Sequence, residues 1–169
     1  RPQSNMASQL AESYLNLGAF GTQALYIADD VGRGIVYRSC GLHNILIAED
    51  AFGRVNQVFR HYQFTAQQAM QAFVGKREGA ARDAAWAKMP ASIKVSYETK
   101  ANIKFPFLHA VVPREQVDAQ RLDYRGMPLA SFDLFMGDGS IIDEGGYRVM
   151  PYCVSRYTKS SEEIYGRSP

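Results

Sequence analysis

The stretch Ala24-Leu25-Tyr26-Ile27-Ala28-Asp29-Asp30-Val31-Gly32-Arg33-Gly34-Ile35-Val36-Tyr37-Arg38 decides the fold class. Its first five residues are apolar on both faces, the pattern of a strand buried within a sheet rather than at its edge. Asp29 to Gly34 gathers turn-forming residues, and Ile35 to Arg38 returns as a second strand, so the stretch predicts an antiparallel hairpin. A second hairpin follows from Asn44 to Ala48, through Glu49-Asp50-Ala51-Phe52-Gly53, to Val55–Phe64. Alternation lapses at Val58-Phe59, which places a bulge there.

Outward from the hairpins the pattern turns helical. From Gln3 to Leu17, the residues Met6, Leu10, Tyr14 and Leu17 recur at spacings that put them on one face of an amphipathic helix. Gly18 occupies the expected C-cap, with Gly21 shortly after. Thr65 and Gln68 have capping-box spacing, and Ala66, Ala69, Met70, Phe73 and Val74 form the apolar stripe of the helix they open, which Gly75 closes. A more polar helix over Ala80 to Lys88 carries the only tryptophan, Trp86, and stops before Pro90. Residues 92–100 read two ways, because Ile93, Val95, Tyr97 and Thr99 alternate like a strand while their flanks look helical. Strands return at Lys104 to Val112, ending at Pro113, and at Pro128 to Met136. Gly137-Asp138-Gly139 is a tight turn into Ser140 to Glu144, and Tyr147 to Tyr157 closes the set before a polar stretch, Thr158 to Glu163. The order predicts an α+β fold: a mostly antiparallel sheet of hairpins and a meander, an N-terminal amphipathic helix, and a central group of two or three helices.

The 169 residues fit one domain, or one domain with appended helices, and an apolar content of 46% allows a real core. No window is apolar enough to span a membrane. A net charge of +2 argues against a dedicated DNA-binding module. The charge is unevenly spread, with Lys76, Arg77, Arg82, Lys88, Lys94, Lys100 and Lys104 against Glu78, Asp83 and Glu98. That segment is either a solvated basic face or a surface complementary to an acidic turn of a neighbouring copy, such as Asp29-Asp30, Glu49-Asp50 or Asp138 with Asp143-Glu144. Cys40 and Cys153 lack metal-binding spacing and read as buried reduced thiols.

Nothing in the sequence asks for a cofactor or a metal, and no catalytic residue is expected. GxSxG, HExxH, Walker A and a strand-linked GxGxxG are all missing from the sequence. Cys40 and His43 are close in sequence without a third, orienting group, and His43, His61 and His109 are scattered, with His109 reading as a core or rim histidine. Tyr147, Arg148, Tyr152, Arg156, Tyr157, Tyr165 and Arg167 stand out instead. They are residue types enriched at protein–protein interfaces, although the tyrosines also suit half-buried strands. The ends are distinctive too: residue 1 is Arg, and Ser168-Pro169 is a helix-start signal, so the chain reads as a piece of a longer polypeptide, cut at both ends.

The closing stretch Gly145-Gly146-Tyr147-Arg148-Val149-Met150-Pro151-Tyr152, with Ser155-Arg156-Tyr157 and Glu163-Ile164-Tyr165-Gly166-Arg167-Ser168-Pro169, resembles the portal, or head-to-tail connecting, proteins of short-tailed bacteriophages. Leu17-Gly18-Ala19-Phe20-Gly21-Thr22, Tyr37-Arg38-Ser39 and His109-Ala110-Val111-Val112-Pro113-Arg114 fit the same family in the same order. The resemblance implies a structural subunit of a ring, usually a dodecamer, at one capsid vertex of the virion, assembled in the bacterial host cytoplasm. Its implied partners are further copies of itself, terminase, capsid or scaffold protein and a tail adaptor. Double-stranded DNA passes through without sequence-specific binding, and no membrane is involved. The chain would form part of the wing region, with most tunnel-lining and motor-docking elements elsewhere. The family also favours helix for residues 92–100. Arg77, Arg82, Lys88, Arg148, Arg156, Tyr157, Tyr165 and Arg167 are the expected subunit-interface residues. Gly18, Gly21, Thr22, Gly146, Tyr147, Pro151, Gly166, Ser168 and Pro169 are the motif residues. A phage adaptor or tail interaction module is the alternative from a different class, and a hydrolase with a pocket assembled from distant residues is a third.

Overall fold

A computed structural model describes residues 4–30, 34–118, 120–160 and 162–169. The expected helix start at Gln3 and the turn residues 31–33 lie outside them. The chain divides into two compact units, Arg1–Arg60 with Tyr147–Pro169, and His61–Gly146.

The first unit opens with α1 (Met6–Phe20), then β1 (Thr22–Asp30), β2 (Gly34–Cys40), a 3-10 turn at Leu42–Asn44, and β3 (Ile45–Glu49). It includes the first part of β4 (Val55–Thr65) and ends with β8 (Tyr152–Arg156). β1 is the central strand of a three-stranded antiparallel sheet, β2-β1-β8, as its two apolar faces predict. β3 and β4 form the second hairpin, and its register shifts at Ala48/Glu49 rather than at Val58-Phe59. The turn explains the shift. Asp50 Oδ1 accepts from both Phe52 N and Arg54 N while Asp50 N donates to Arg54 O, closing the loop tightly and leaving the spare residue beside it.

The first helix corrects the sequence reading most. Met6 and Tyr14, expected on its buried face, are exposed to 45% and 68%, whereas Ser13 is buried. β2 is an edge strand, and its outward backbone groups need partners. α1 and the residue before it supply them. The Asn5 side-chain amide donates to Tyr37 O at 2.7 Å and accepts from Tyr37 N at 2.9 Å, and Gln9 Oε1 accepts from Ser39 N at 2.7 Å. Asn16 reaches the Ser39 hydroxyl at 3.2 Å. Gln9, Ser13 and Asn16 therefore share the inward side of the helix with half-buried Leu10 and Leu17, and the side-chain amides of Asn5 and Gln9 stand in for a missing strand.

The second unit holds the end of β4, α2 (Ala66–Phe73), α3 (Gly79–Lys88), α4 (Ala91–Thr99), β5 (Lys104–Pro113), β6 (Leu129–Phe135) and β7 (Ile141–Tyr147), whose last residue belongs to the first unit. The strands follow the sheet order β3-β4-β5-β6-β7. Thr65 and Gln68 form the expected capping box, and Ala66, Ala69, Met70 and Phe73 bury the expected stripe. Phe107 and Ile93 are fully buried at the centre of the helix–sheet core, and Phe107 lies within 5.6–6.1 Å of the rings of Tyr62, Phe64, Phe73 and Phe135. Residues 92–100 are helical as expected, which turns Val95 and Tyr97 outward.

The expected final strand from Tyr147 to Tyr157 is two. It breaks at Arg148–Pro151, β7 reaches Tyr147 rather than stopping at Glu144, and β8 leaves the meander to pair with β1. Pro151 offers no N–H to a ladder, while its carbonyl accepts from Ile27 N at 2.9 Å. Cys153 on β8 is exposed, contrary to its expected burial, and Cys40 is buried.

Replacing Gln9 with Leu, which the helical pattern would favour, is expected to destabilise the chain by about 1–3 kcal/mol because the Ser39 amide loses its acceptor. Tyr14→Lys should change stability by less than about 0.5 kcal/mol. Urea denaturation of both variants checks this, and the opposite ranking would refute the role of Gln9 as a cover for β2.

Candidate functional site

The motif residues from the two ends of the chain meet. Gly21 is the C-cap of α1 with φ +70°, and its N–H bonds Leu17 O at 2.9 Å. Gly18, the expected cap, lies inside the helix with open space where a Cβ would be. Past the cap, Gly21 O accepts from Tyr157 N at 2.9 Å, and the buried Thr22 hydroxyl accepts from Gly166 N at 2.6 Å. Thr158 O accepts from Arg167 N at 2.8 Å, folding the closing segment back on itself. Two glycines are required for steric reasons: a Cβ on Gly21 would lie 2.1 Å from Arg167 C, and one on Gly166 would lie 2.4 Å from Gly21 O. The glycine-threonine motif and the closing motif thus form one backbone-on-backbone clamp, which leaves Ser168 and Pro169 exposed.

Ion pairs brace the clamp. Glu49, 13% exposed, takes the Arg156 guanidinium on Oε1 and the Lys159 ammonium at 2.7 Å on both oxygens. Arg156 also donates to Ile164 O at 3.0 Å. The Tyr165 hydroxyl accepts from Ile47 N, 3.3 Å away on β3, the edge strand of its sheet. Arg167 pairs with Glu163 four residues back, and its guanidinium holds that carboxyl below the usual carboxylate range.

The remaining motif residues act in turns. A Cβ on Gly146 would lie 2.5 Å from Tyr124 O, so that position too is a close backbone approach. The Tyr147 hydroxyl meets that of Tyr26 at 3.0 Å, and Pro151 is buried. Of the expected interface residues, Arg77 pairs with Asp143 at 2.6 Å, and Arg156, Arg167 and Tyr165 have the partners just described. Arg82, Lys88, Arg148 and Tyr157 are exposed, and the three cations among them make no ion pair with the described residues. Lys159 and Ile47 carry no sequence signal of a site, Glu163 stands only within the closing motif, and Glu49 reads as part of an acidic turn for a neighbouring copy, whereas its partners lie in its own chain. Glu49 looks like an ordinary turn acid until the fold sets β8 beside it.

Burial pushes the Cys40 thiol up, the reverse of what a nucleophilic cysteine needs, even with the Arg60 guanidinium nearby. His43 is turned to Asn44 Nδ2 at 2.9 Å, and buried His109 bonds the Ser131 hydroxyl at 2.9 Å, as a core histidine would. Among the described residues no cluster of His, Cys, Asp or Glu has the arrangement of a metal site.

A family model described as bacteriophage head to tail connecting protein matches residues 2–169. A protein named probable portal protein, from Bordetella phage BPP-1, is 28% identical over 170 residues, covering 99% of this chain and 29% of that protein. The portal protein of Salmonella phage epsilon15 is 23% identical over 168 residues, covering 98% of this chain and 28% of that protein. The chain therefore spans less than a third of the length of these curated relatives.

The two neighbouring glycines should respond oppositely to alanine. Gly18→Ala is expected to stabilise the chain by about 0.5–1 kcal/mol, since it sits in an exposed helix interior with room for a methyl. Gly21→Ala should destabilise it by at least about 1–2 kcal/mol through its left-handed conformation alone, with the backbone clash added. It should also accelerate tryptic cleavage after Lys159. Equal midpoints and unchanged cleavage would refute the clamp.

Proposed function

The chain belongs to the bacteriophage head to tail connecting protein family, and from that premise we propose that it is part of a structural portal subunit. In this reading the whole subunit assembles with further copies into a ring, a dodecamer by family resemblance, at one capsid vertex. Residues 1–169 contribute to its wing region. The ring conducts double-stranded DNA during packaging and ejection without reading its sequence, and it meets terminase, capsid or scaffold protein and a tail adaptor through the full-length protein. It is assembled in the host cytoplasm, resides in the virion, and carries no catalytic chemistry.

The observation that carries the reading is the end-to-end match of this chain to two proteins named as portal proteins. The geometry supports it from another direction. The residues of the closing motif are spent on locking the first strand to the last, which gives a rigid block rather than an open reactive cleft. The net charge is only +2, and among the described residues Arg77, Arg114, Arg121, Arg156, Lys159 and Arg167 pair with carboxylates of the same chain. A conduit wall of that kind holds phosphates weakly, because each unneutralised cation adds a salt-sensitive contact that would retard sliding. We assign subunit contact to the residues left outward: Arg82, Lys88, Arg148 and Tyr157.

The test is negative-stain electron microscopy and native mass spectrometry of the full-length gene product. Closed rings of uniform subunit number are expected. A uniform monomer, or open filaments at all protein concentrations and salt levels, would overturn the proposal.

A further inference from the structure

Between α2, α3 and α4 lies a cleft of about 400 Å³, lined by Met70, Val74, Arg82, Trp86 and Tyr97 among others. Trp86 and Tyr97 are 37% and 43% exposed. Lys94 lies over the Trp86 ring at 5.7 Å, and across residues 76–104 cations outnumber acids seven to three. The cleft thus has an apolar and aromatic floor at Met70, Val74, Trp86 and Tyr97, polar walls at Gln67 and Gln71, and among the described residues Arg82 as the one cation that lines it. It fits a short apolar projection that carries negative charge.

One such projection exists on the same chain. The β6–β7 turn, Met136-Gly137-Asp138-Gly139-Ser140-Ile141, exposes Met136 and Ile141 to 51% each, and Asp138 is its only charged residue. The turn is rigid. Asp138 Oδ1 accepts from Ser140 N, Gly139 N donates to Phe135 O, and Phe135 N donates to Ser140 O, all at 2.9 Å. Gly139 has φ +75°, and a Cβ on Gly137 would lie 2.4 Å from the Phe135 ring. Pre-organisation of this kind lowers the ordering cost of docking.

We propose that the β6–β7 turn of one copy docks into the α2–α3–α4 cleft of the next, with Met136 and Ile141 on the Trp86–Tyr97 floor and Asp138 facing Arg82. The two surfaces differ, so the contact is heterologous, and repetition of a heterologous contact generates a closed ring when the rotation permits. The inference rests on the ring reading above and names the surfaces that make it.

The experiment uses the full-length protein. Asp138→Arg and Arg82→Asp alone are each expected to lower the ring fraction about tenfold or more at physiological salt, because each sets like charges face to face. The double swap D138R/R82D should restore it. In parallel, an R82C/D138C variant in a Cys153→Ser background should give, on mild oxidation, a ladder of covalent multimers up to the full ring. Normal rings from both single variants, singles not rescued by the double swap, or oxidation that yields only internally cross-linked monomer would each overturn the docking while leaving the ring reading intact. A wild-type product that forms no rings would instead overturn both.

Discussion

The carbonyl of Gly21 and the backbone of Gly166-Arg167 touch where any side chain would hold them apart, and the first unit depends on that contact. A strand can be central only if something occupies each of its edges. β2 reaches β1 through a local hairpin, but β8 arrives from more than a hundred residues away and must be held in register. The hydrogen bonds from Tyr157 to Gly21 and from Gly166 to Thr22 fix that register just beyond the last paired residues, Thr22 and Arg156. Once β8 is in place, Arg156 and Lys159 find Glu49, and Tyr165 finds the edge of β3. The ion pairs follow the backbone contact and reinforce it. Partly buried, they are also harder for salt to screen than surface pairs.

The inward turn of the polar residues of α1 has its cause in the same sheet. An exposed edge strand is an aggregation template, and one way to blunt it is to cover it with a helix. Ordinary amphipathic packing would satisfy the side chains of β2 and leave its edge amides and carbonyls bare. Asn5 and Gln9 cover those groups with their own amides, which carry donor and acceptor in the same relation as a peptide. The cost is that Tyr14 and Leu15 face out.

What the sequence made legible was local. The Thr65–Gln68 box, the stop at Pro90, the alternation that gave the hairpins, and the doubly apolar Ala24–Ala28 all report on neighbours within a few residues, and each was found where expected. The misreadings share a different cause. Helical periodicity puts Met6, Leu10, Tyr14 and Leu17 on one side, yet only Leu10 and Leu17 are half-buried, because the helix is turned so that Gln9, Ser13 and Asn16 share the inward face. Gly18 and Gly21 both look like caps, and the left-handed turn at Gly21 together with the approach of Arg167 from the far end requires the second. The break at Pro151 was visible as a proline, yet the departure of β8 to another sheet is a long-range choice. Glu49 had no signal of its partners within the chain.

The same distinction governs the arginines. Composition marked Arg77, Arg82, Arg148, Arg156 and Arg167 alike as interface material, because guanidinium groups are enriched there. The fold separates them by reach. Where a carboxylate of β3 or β7 lies within a few ångströms, as Glu49 and Asp143 do, the guanidinium is consumed inside the chain, and breaking that pair acts on folding before it acts on assembly. Where a helix of mostly exposed alanines carries the cation, as at Arg82, no carboxylate is offered and the charge stays available. A substitution at Arg156 that disrupts assembly therefore says little about a subunit contact, because it also removes the brace on the clamp. One at Arg82 would test the proposed contact without touching that brace. That is why the informative positions for assembly are those the internal network leaves alone.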